Sequence, residues 1–561
     1  MRGATVIDGT GAPGVVADVA VDGDRIVAVG EVPTEGTIEI DGRGLVLAPG
    51  WIDTHTHLDA NQFWDPQLTP CSRYGVTTVV LANCGYALAP AMTPAQREYV
   101  IEALVAVEQV PRDAIDEAVP FDWTDHESYV AALGRIDTAL NRAFLVGHLP
   151  VRTVVMGAEA ARTRVATPDE TRQIAELVAD GLRRGALGFS TDQVVGNIGP
   201  GNTSLPGQVC DDEELLAVAR VLGTEPGPGL FTMAPRALLL DREQRRADLA
   251  WHEQLAQASG KPVVIGPVFD TYDEPGVGLD LLDAMADAQA RGNRVVGQVS
   301  PRPFELWTRL DALGVLVRVL PTLSEAVQRG GADAVREMAR DPDAMARLCE
   351  EGARIRPSLI FSGRWDHVHV RYTSRHGDLR DRDLATIADA QGLDPVEAML
   401  DIAIGDDFET QFAIAMRSPD DDRLGELVAH PAAQLGGSDA GAHTQSNTDS
   451  CYAVWTLQHW VRERGVLSIE AAVAMLTSRQ AELFGIRDRG RIAAGMHADL
   501  VLFDPARVGI DDVSYVTDMP AGGTRLIAQP VGITASIVNG TVVVRDGELT
   551  GALPGALLLG G

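Results

Sequence analysis

Residues 45–59 read LVLAPGWIDTHTHLD, an apolar run closed by His55-Thr56-His57. A short apolar run of this kind reads as a buried β-strand. Strand side chains alternate between faces, so positions 55 and 57 point the same way. Two imidazoles on one face at the end of a strand can share a metal ion. The plainer alternative is a pair of polar loop residues. It is disfavoured by the apolar strand before the pair and by a candidate acidic partner far along the chain, at Asp439.

Seven further segments repeat the pattern of an apolar run ending in small or polar residues: TTVVLANCG (77–85), AFLVGHLP (143–150), GALGFSTD (185–192), PGLFTMAP (228–235), KPVVIGPVFD (261–270), NRVVGQVSP (293–301) and AAQLGGSDAGAH (432–443). Helical stretches such as ETRQIAELVADGLRRGA (170–186), with apolar residues at i, i+3 and i+4, lie between them. Eight strand–helix units predict a (β/α)₈ barrel of the TIM type, with its active site at the C-terminal ends of the strands. That geometry brings the last strand beside the first, and with it Asp439 of GGSDAGAH. A carboxylate there can bind metal and also accept a proton from an attacking water. Alone, it would read as the cap of the following helix.

The two ends of the chain have a different texture. Short Val/Ile runs are punctuated by Asp22-Gly23 near the start and by Asn539-Gly540 near the finish, both hairpin signals. Each end is too small to bury a core alone, so residues 1–48 and 488–561 are expected to form one composite β-sandwich. Residues 49–487 would then be the barrel. The stretch at about 303–430, before the last strand, is too long for a simple loop and reads as a lid or subdomain.

The 561 residues carry 47 Lys+Arg against 79 Asp+Glu, a net charge of −32. Such a surface repels nucleic acid and anionic membranes, which argues against both as partners. A hydrophobic fraction of 45% is that of a chain with a real core. No apolar run approaches the ~20 residues of a membrane span. The first ten residues lack the apolar stretch of a secretory signal, and five cysteines do not make a disulfide framework. A cytoplasmic location is expected, with a homo-oligomer left open. Lys261 is the single lysine, so any lysine-dependent chemistry has one candidate.

LVLAPGWIDTHTHLD, WDPQLTPCSRYGVTTVVLANCGYALAP (64–90), LVGHLPVRTVVMG (145–157), GALGFSTD, GGSDAGAH, AGMHADLVLFD (494–504) and DMPAGGTRLI (518–527), in this order, resemble the amidohydrolase superfamily and its D-aminoacylase-like branch. The resemblance implies a metal-dependent hydrolase of a non-peptide C–N bond. It implies a metal site at His55, His57 and Asp439, with Cys84 as a thiolate ligand from the second strand. Many relatives bridge two metals with a carboxylated lysine. Lys261 precedes the sixth strand, at the wrong end for a ligand, so the lysine-bridged type is excluded by position.

The sequence departs from the branch where Met233 and Pro267 stand in place of the histidines of the fifth and sixth strands. Ser300-Pro301-Arg302 replaces an aromatic run at the seventh strand, and Ser450 replaces an arginine that grips the substrate carboxylate. One divalent ion is therefore expected rather than two, most naturally Zn²⁺, with Mn²⁺ or Fe²⁺ also suited. His148 and Arg152 of GHLPVR persist, as does His443. His148 or His443 is expected to polarise the substrate carbonyl or complete the metal sphere, with a hydrogen-bonded structural role as the alternative. Arg152 and Arg302 are expected to bind substrate, an N-acylated amino acid being the expected class. His367 and His369 read as lid-strand residues and His497 as part of the terminal β unit. Hydrolysis of a cyclic amide or an ester, and a degenerate barrel that only binds a ligand, stand as alternatives.

Overall fold

The computed structural model describes residues 1–560 apart from 238–240, 272–273, 313, 356–360 and 418–419. Eight short strands carry the site: β1 (Trp51–Asp53), β2 (Val76–Leu81), β3 (Asn141–Phe144, continued by Val146–Gly147), β4 (Gly188–Asp192), β5 (Leu230–Ala234), β6 (Val263–Ile265), β7 (Val295–Val299) and β8 (Ala433–Leu435). Each pairs in parallel with the next, in the order β1 to β8, with Leu145 interrupting β3. The two ends of the series meet just past β1 and β8. A parallel bridge joins Thr56 to Ala440, and the His57 N–H donates to the Ala440 carbonyl at 2.7 Å. Nearly every residue of these strands is buried, because helices cover one face and the facing strands cover the other. Ile52, Val80, Leu145, Leu187, Leu230 and Val264 pack together on the enclosed side.

The helix Pro168–Arg183 shows how the outer layer forms. A capping box pairs Thr167 with Glu170 at its start, and Ile174, Val178 and Leu182, at i, i+4 and i+8, are buried along one face.

Both ends of the chain enter one eight-stranded sheet, ordered 548–549, 541–545, 533–538, 500–503, 46–49, 4–6, 15–22 and 25–30. Its junction is the antiparallel pairing of Val46–Pro49 with Leu500–Phe503. The Asn539-Gly540 turn has positive φ at both residues (46° and 77°), the conformation that suits a two-residue hairpin. The hairpin Gly509–Thr517/Thr524–Val531 stays outside this sheet and packs through Leu526 on Trp307 and Ala413. Residues 554–560 leave the sheet and run beside the start of β3: the Arg142 N–H donates to the Ala556 carbonyl, and the Leu558 N–H to that of Arg142.

The segment between β7 and β8 is a folded body. Strands 304–308, 368–372 and 411–417 form an antiparallel sheet, and helices surround it. Its apolar core, including Leu316, Leu348, Val368, Met399 and Phe412, is separate from that of the strand series. Among the described residues no helix is long and apolar enough to cross a membrane.

Candidate metal centre

The loops after β1 and β8 are stitched together by the sequence HTH and its partner SDAG. Ser438 Oγ donates to the His55 carbonyl at 2.9 Å and accepts the Ala440 N–H at 3.1 Å. Gly441 is required beside them: its φ is +97°, and a Cβ there would meet the His57 carbonyl oxygen at 2.5 Å. This stitching sets Asp439 Oδ1 3.2 Å from His55 Nε2 and 3.9 Å from His57 Nε2. The turn after β2 delivers Cys84, whose Sγ lies 3.3 Å from His55 Nε2. Cys84 itself is left-handed (φ 51°), and Asn83 anchors the turn by donating to the carbonyls of Thr54 and Val80. The structure thus brings together all four of the residues expected to bind metal. The donor atoms of His55, His57 and Cys84 lie within 4.8 Å of one another.

His57 tests whether these residues fit a metal. It is 4% exposed, and neither ring nitrogen has a hydrogen-bond partner. Burial is the main cause that lowers its pKa from 6.5 to about 3. A neutral imidazole with an unsatisfied lone pair in the interior is costly unless something binds it. Imidazoles with thiolate and carboxylate donors are the chemistry of a zinc-type ion. The residues present fit such an ion.

Two residues of this site were missed in the sequence. Gln298 on β7 accepts the Nδ1–H of His55 at 2.7 Å. Glu108, buried at 5% exposure, places Oε2 3.6 Å from His57 Nε2 and 4.0 Å from His443 Nε2. Burial, then the charges of Asp439 and Asp192, push its carboxyl well above the usual range. Each had a signal, being a polar side chain inside an otherwise apolar run: Gln298 alone in VVGQV, and Glu108 beside Gln109 in LVAVEQV.

Met233 and Gly266, the latter next to Pro267, line a small pocket beside His55 and Cys84. No imidazole enters from β5 or β6 there. Lys261 lies before β6, its Nζ bonded to the Gly227 carbonyl at 3.0 Å, away from the donor cluster.

Three expected site residues are committed elsewhere. His148 is 1% exposed; Nδ1 bonds Thr191 Oγ1 at 2.8 Å and Nε2 bonds Glu214 at 2.7 Å. With both nitrogens engaged it has no donor left for a substrate oxygen. Arg152, fully buried, donates to the same Glu214 at 2.9 Å and to the carbonyls of Ala161 and Arg164. Arg302 donates to the Thr448 carbonyl at 2.8 Å and to Cys451 Sγ at 2.9 Å, with its guanidinium over Trp455. It braces the chain after β8 rather than facing a ligand. His443, by contrast, stands at the centre itself, on Glu108. His369 lies on the strand 368–372 of the inserted body, and His497 N bonds Asp488 near the terminal sheet.

Several known proteins resemble the chain over its whole length. It is 30% identical, over all of its own length and 95% of the other's, to N-acyl-D-aspartate deacylase of Alcaligenes xylosoxydans xylosoxydans. A D-aminoacylase structure, described for its binuclear metal centre with one-metal activation and second-metal attenuation, superposes with a TM-score of 0.68 at 27% identity, covering 100% of this chain and 99% of that one. N-acyl-D-glutamate deacylase of Bordetella bronchiseptica, complexed with zinc and a phosphonate mimic of the tetrahedral intermediate, gives 0.67 at 25% identity, covering 100% and 98%. The family pattern spans residues 39–544, from the strand before β1 to the terminal sheet. With the amidohydrolase family pattern matched over residues 39–544 and a relative 30% identical along its whole length, the chain belongs to the amidohydrolase family.

Proposed function

We propose that the chain is a metal-dependent amidohydrolase that cleaves a non-peptide C–N amide bond of a small molecule of the N-acyl amino acid class. The observation that carries this reading is His57, buried with two unpartnered ring nitrogens between Asp439 and Glu108. The eight parallel strands and the Thr56–Ala440 bridge support a closed (β/α)₈ barrel, with residues 49–487 as the catalytic unit and 1–48 with 488–561 as the second.

His55, His57, Cys84 and Asp439 would hold one divalent ion, most naturally Zn²⁺. Such an ion supplies Lewis acidity and a water nucleophile at neutral pH. Asp439 takes the proton of the attacking water on its carboxylate and delivers it to the leaving nitrogen, which otherwise departs poorly as an amide anion. His443 is the group left to donate to the carbonyl oxygen as charge develops on it, since His148 has neither ring nitrogen to offer. Gln298 keeps the Nδ1 proton on His55 and its Nε2 lone pair toward the centre.

Purified protein, assayed with a panel of N-acyl-D-amino acids, their L-isomers and cyclic amides in the presence of zinc or manganese, tests the reading. Turnover of an acyl amino acid that is lost on chelation and restored by metal is expected. Bound metal with no turnover of any panel member would point instead to a ligand-binding barrel.

A further inference from the structure

Glu108 ends a π-helical turn, Leu104–Glu108, that continues the helix Pro94–Ala103. Such a turn inserts an extra residue into the helical path and is common at functional sites. Gln109 follows in the left-handed region (φ 55°), which swings the chain onto the loop after β8. There the Glu108 carbonyl accepts the His443 N–H at 2.7 Å, and Ser446 Oγ donates to Gln109 Oε1 at 3.3 Å. The backbone of Glu108 is thus tied to the loop that carries Asp439.

Its carboxyl group lies against the His57 ring, which Asp439 also approaches. Glu108 Oε2 is 3.6 Å from His57 Nε2, and Asp439 Oδ1 is 3.9 Å from that nitrogen. Both separations are too long for hydrogen bonds. Two donor atoms that each lie about 2.1 Å from one ion can be at most about 4.2 Å apart, and both separations fall within that limit. Among the described residues, the ion pairs of Glu108 are with His57 and His443 alone, and neither an arginine nor a lysine pairs with it. A carboxylate buried without a cationic neighbour, in a site that already holds Asp439, calls for positive charge from a bound ion.

We propose that Glu108 is a protein ligand of the divalent ion held by His55, His57, Cys84 and Asp439. The inference rests on the metal site described above and extends it to two carboxylates from distant parts of the chain. A donor set richer in oxygen suits Mn²⁺ and Fe²⁺ better than a set built on thiolate does.

The test uses the full chain, stripped with a chelator and titrated with Co²⁺, whose visible absorption reports its coordination. Glu108→Gln is expected to weaken Co²⁺ binding by at least about tenfold and to change the spectrum of the loaded protein. Glu108→Asp, with the same charge and shorter reach, should fall between the parent and Glu108→Gln. The rise in melting temperature on adding Co²⁺ should shrink in Glu108→Gln, while the metal-free variant melts no lower than the parent. If metal-free Glu108→Gln does melt lower, the spectrum of Co²⁺-loaded Glu108→Asp decides, and a parental spectrum and affinity there overturn the proposal. If Glu108→Gln binds Co²⁺ with parental affinity and spectrum while His57→Ala fails to bind, Glu108 is not a ligand and the metal site stands. If the parent itself takes up no Co²⁺, Zn²⁺ or Mn²⁺, both readings fall together.

Discussion

Gln298 and His55 form a lock: the glutamine oxygen accepts the Nδ1–H at 2.7 Å, and His55 Nε2 is left facing Cys84 and Asp439. The glutamine sits in a slot made by two glycines. A Cβ on Gly266 would lie 2.8 Å from its Oε1, and one on Gly436 would lie 2.6 Å from its Nε2. Neither position has room for a side chain while Gln298 stays in place.

Removing the lock should loosen the metal without touching a ligand. Gln298→Leu is expected to lower metal affinity by about 10–100-fold, the usual effect of losing a partner that orients a ligand. Gly266→Ala should act in the same direction by pushing the amide off His55. Competition titration with a chromophoric chelator measures both, and parental affinity in Gln298→Leu would show that His55 needs no orienting partner.

Asp439 and His443 should separate cleanly in kinetics. Asp439→Asn is expected to abolish turnover, with metal content measured on the same sample. His443→Ala is expected to keep the metal and lower kcat by about 10²–10³, the loss typical of one oxyanion donor. A His443→Ala enzyme at the parental rate would remove that role.

Arg152 should prove to be a matter of stability rather than of substrate. Its guanidinium and the His148 ring converge on Glu214, all three at 1% exposure or less. Breaking such a buried group by removing one member costs about 3–5 kcal/mol. Chemical denaturation of Arg152→Leu should show a loss of that order, while the KM of the folded protein stays unchanged. A large rise in KM at parental stability would return Arg152 to the substrate.

Acid sensitivity has an identifiable source away from the metal. His252, on the helix Arg242–Ser259, is 2% exposed with neither ring nitrogen hydrogen-bonded and Asp248 Oδ2 3.7 Å from Nε2, and burial is the main cause that lowers its pKa to about 3. Its ordinary value is 6.5, so below that pH the unfolded chain takes up a proton that the folded one refuses. Stability is therefore intact above pH 6.5 and is lost as pH falls from there toward about 3. Between pH 6.5 and 4 this one group contributes a loss on the order of 2–3 kcal/mol. His252→Phe should flatten the pH dependence of the melting temperature in that window; an unchanged slope would place the acid sensitivity elsewhere.

The eight strands were legible because each is short, apolar and closed by a small or polar residue, and that grammar survives in one sequence. The candidate metal residues were legible for a related reason: His55 and His57 keep strand spacing, and Asp439 sits at the matching end of β8. What single motifs could not show was competition. His148 and Arg152 look available in GHLPVR, but Glu214, more than sixty residues later, takes both. Arg302 is likewise taken by Thr448 and Cys451. Glu108 was hidden for the converse reason. Its importance depends on an irregular turn and on a contact with His443 across more than three hundred positions, and neither leaves a period in the sequence.

The pairing of Val46–Pro49 with Leu500–Phe503 sets a clock for the molecule. Roughly 450 residues separate the two partners, and at about 5–20 residues per second a ribosome needs ~20–90 s to supply them. For all that time the strand leading into His55 waits with one edge unpaired, an invitation to wrong partners. Strand β1, which leads to the candidate metal residues His55 and His57, begins directly after this waiting edge, so maturation of the centre is tied to the late arrival of a distant piece of chain. Conditions that slow synthesis should therefore lower the yield of folded and of metal-loaded protein together, because the sheet and the centre wait for the same late stretch of chain.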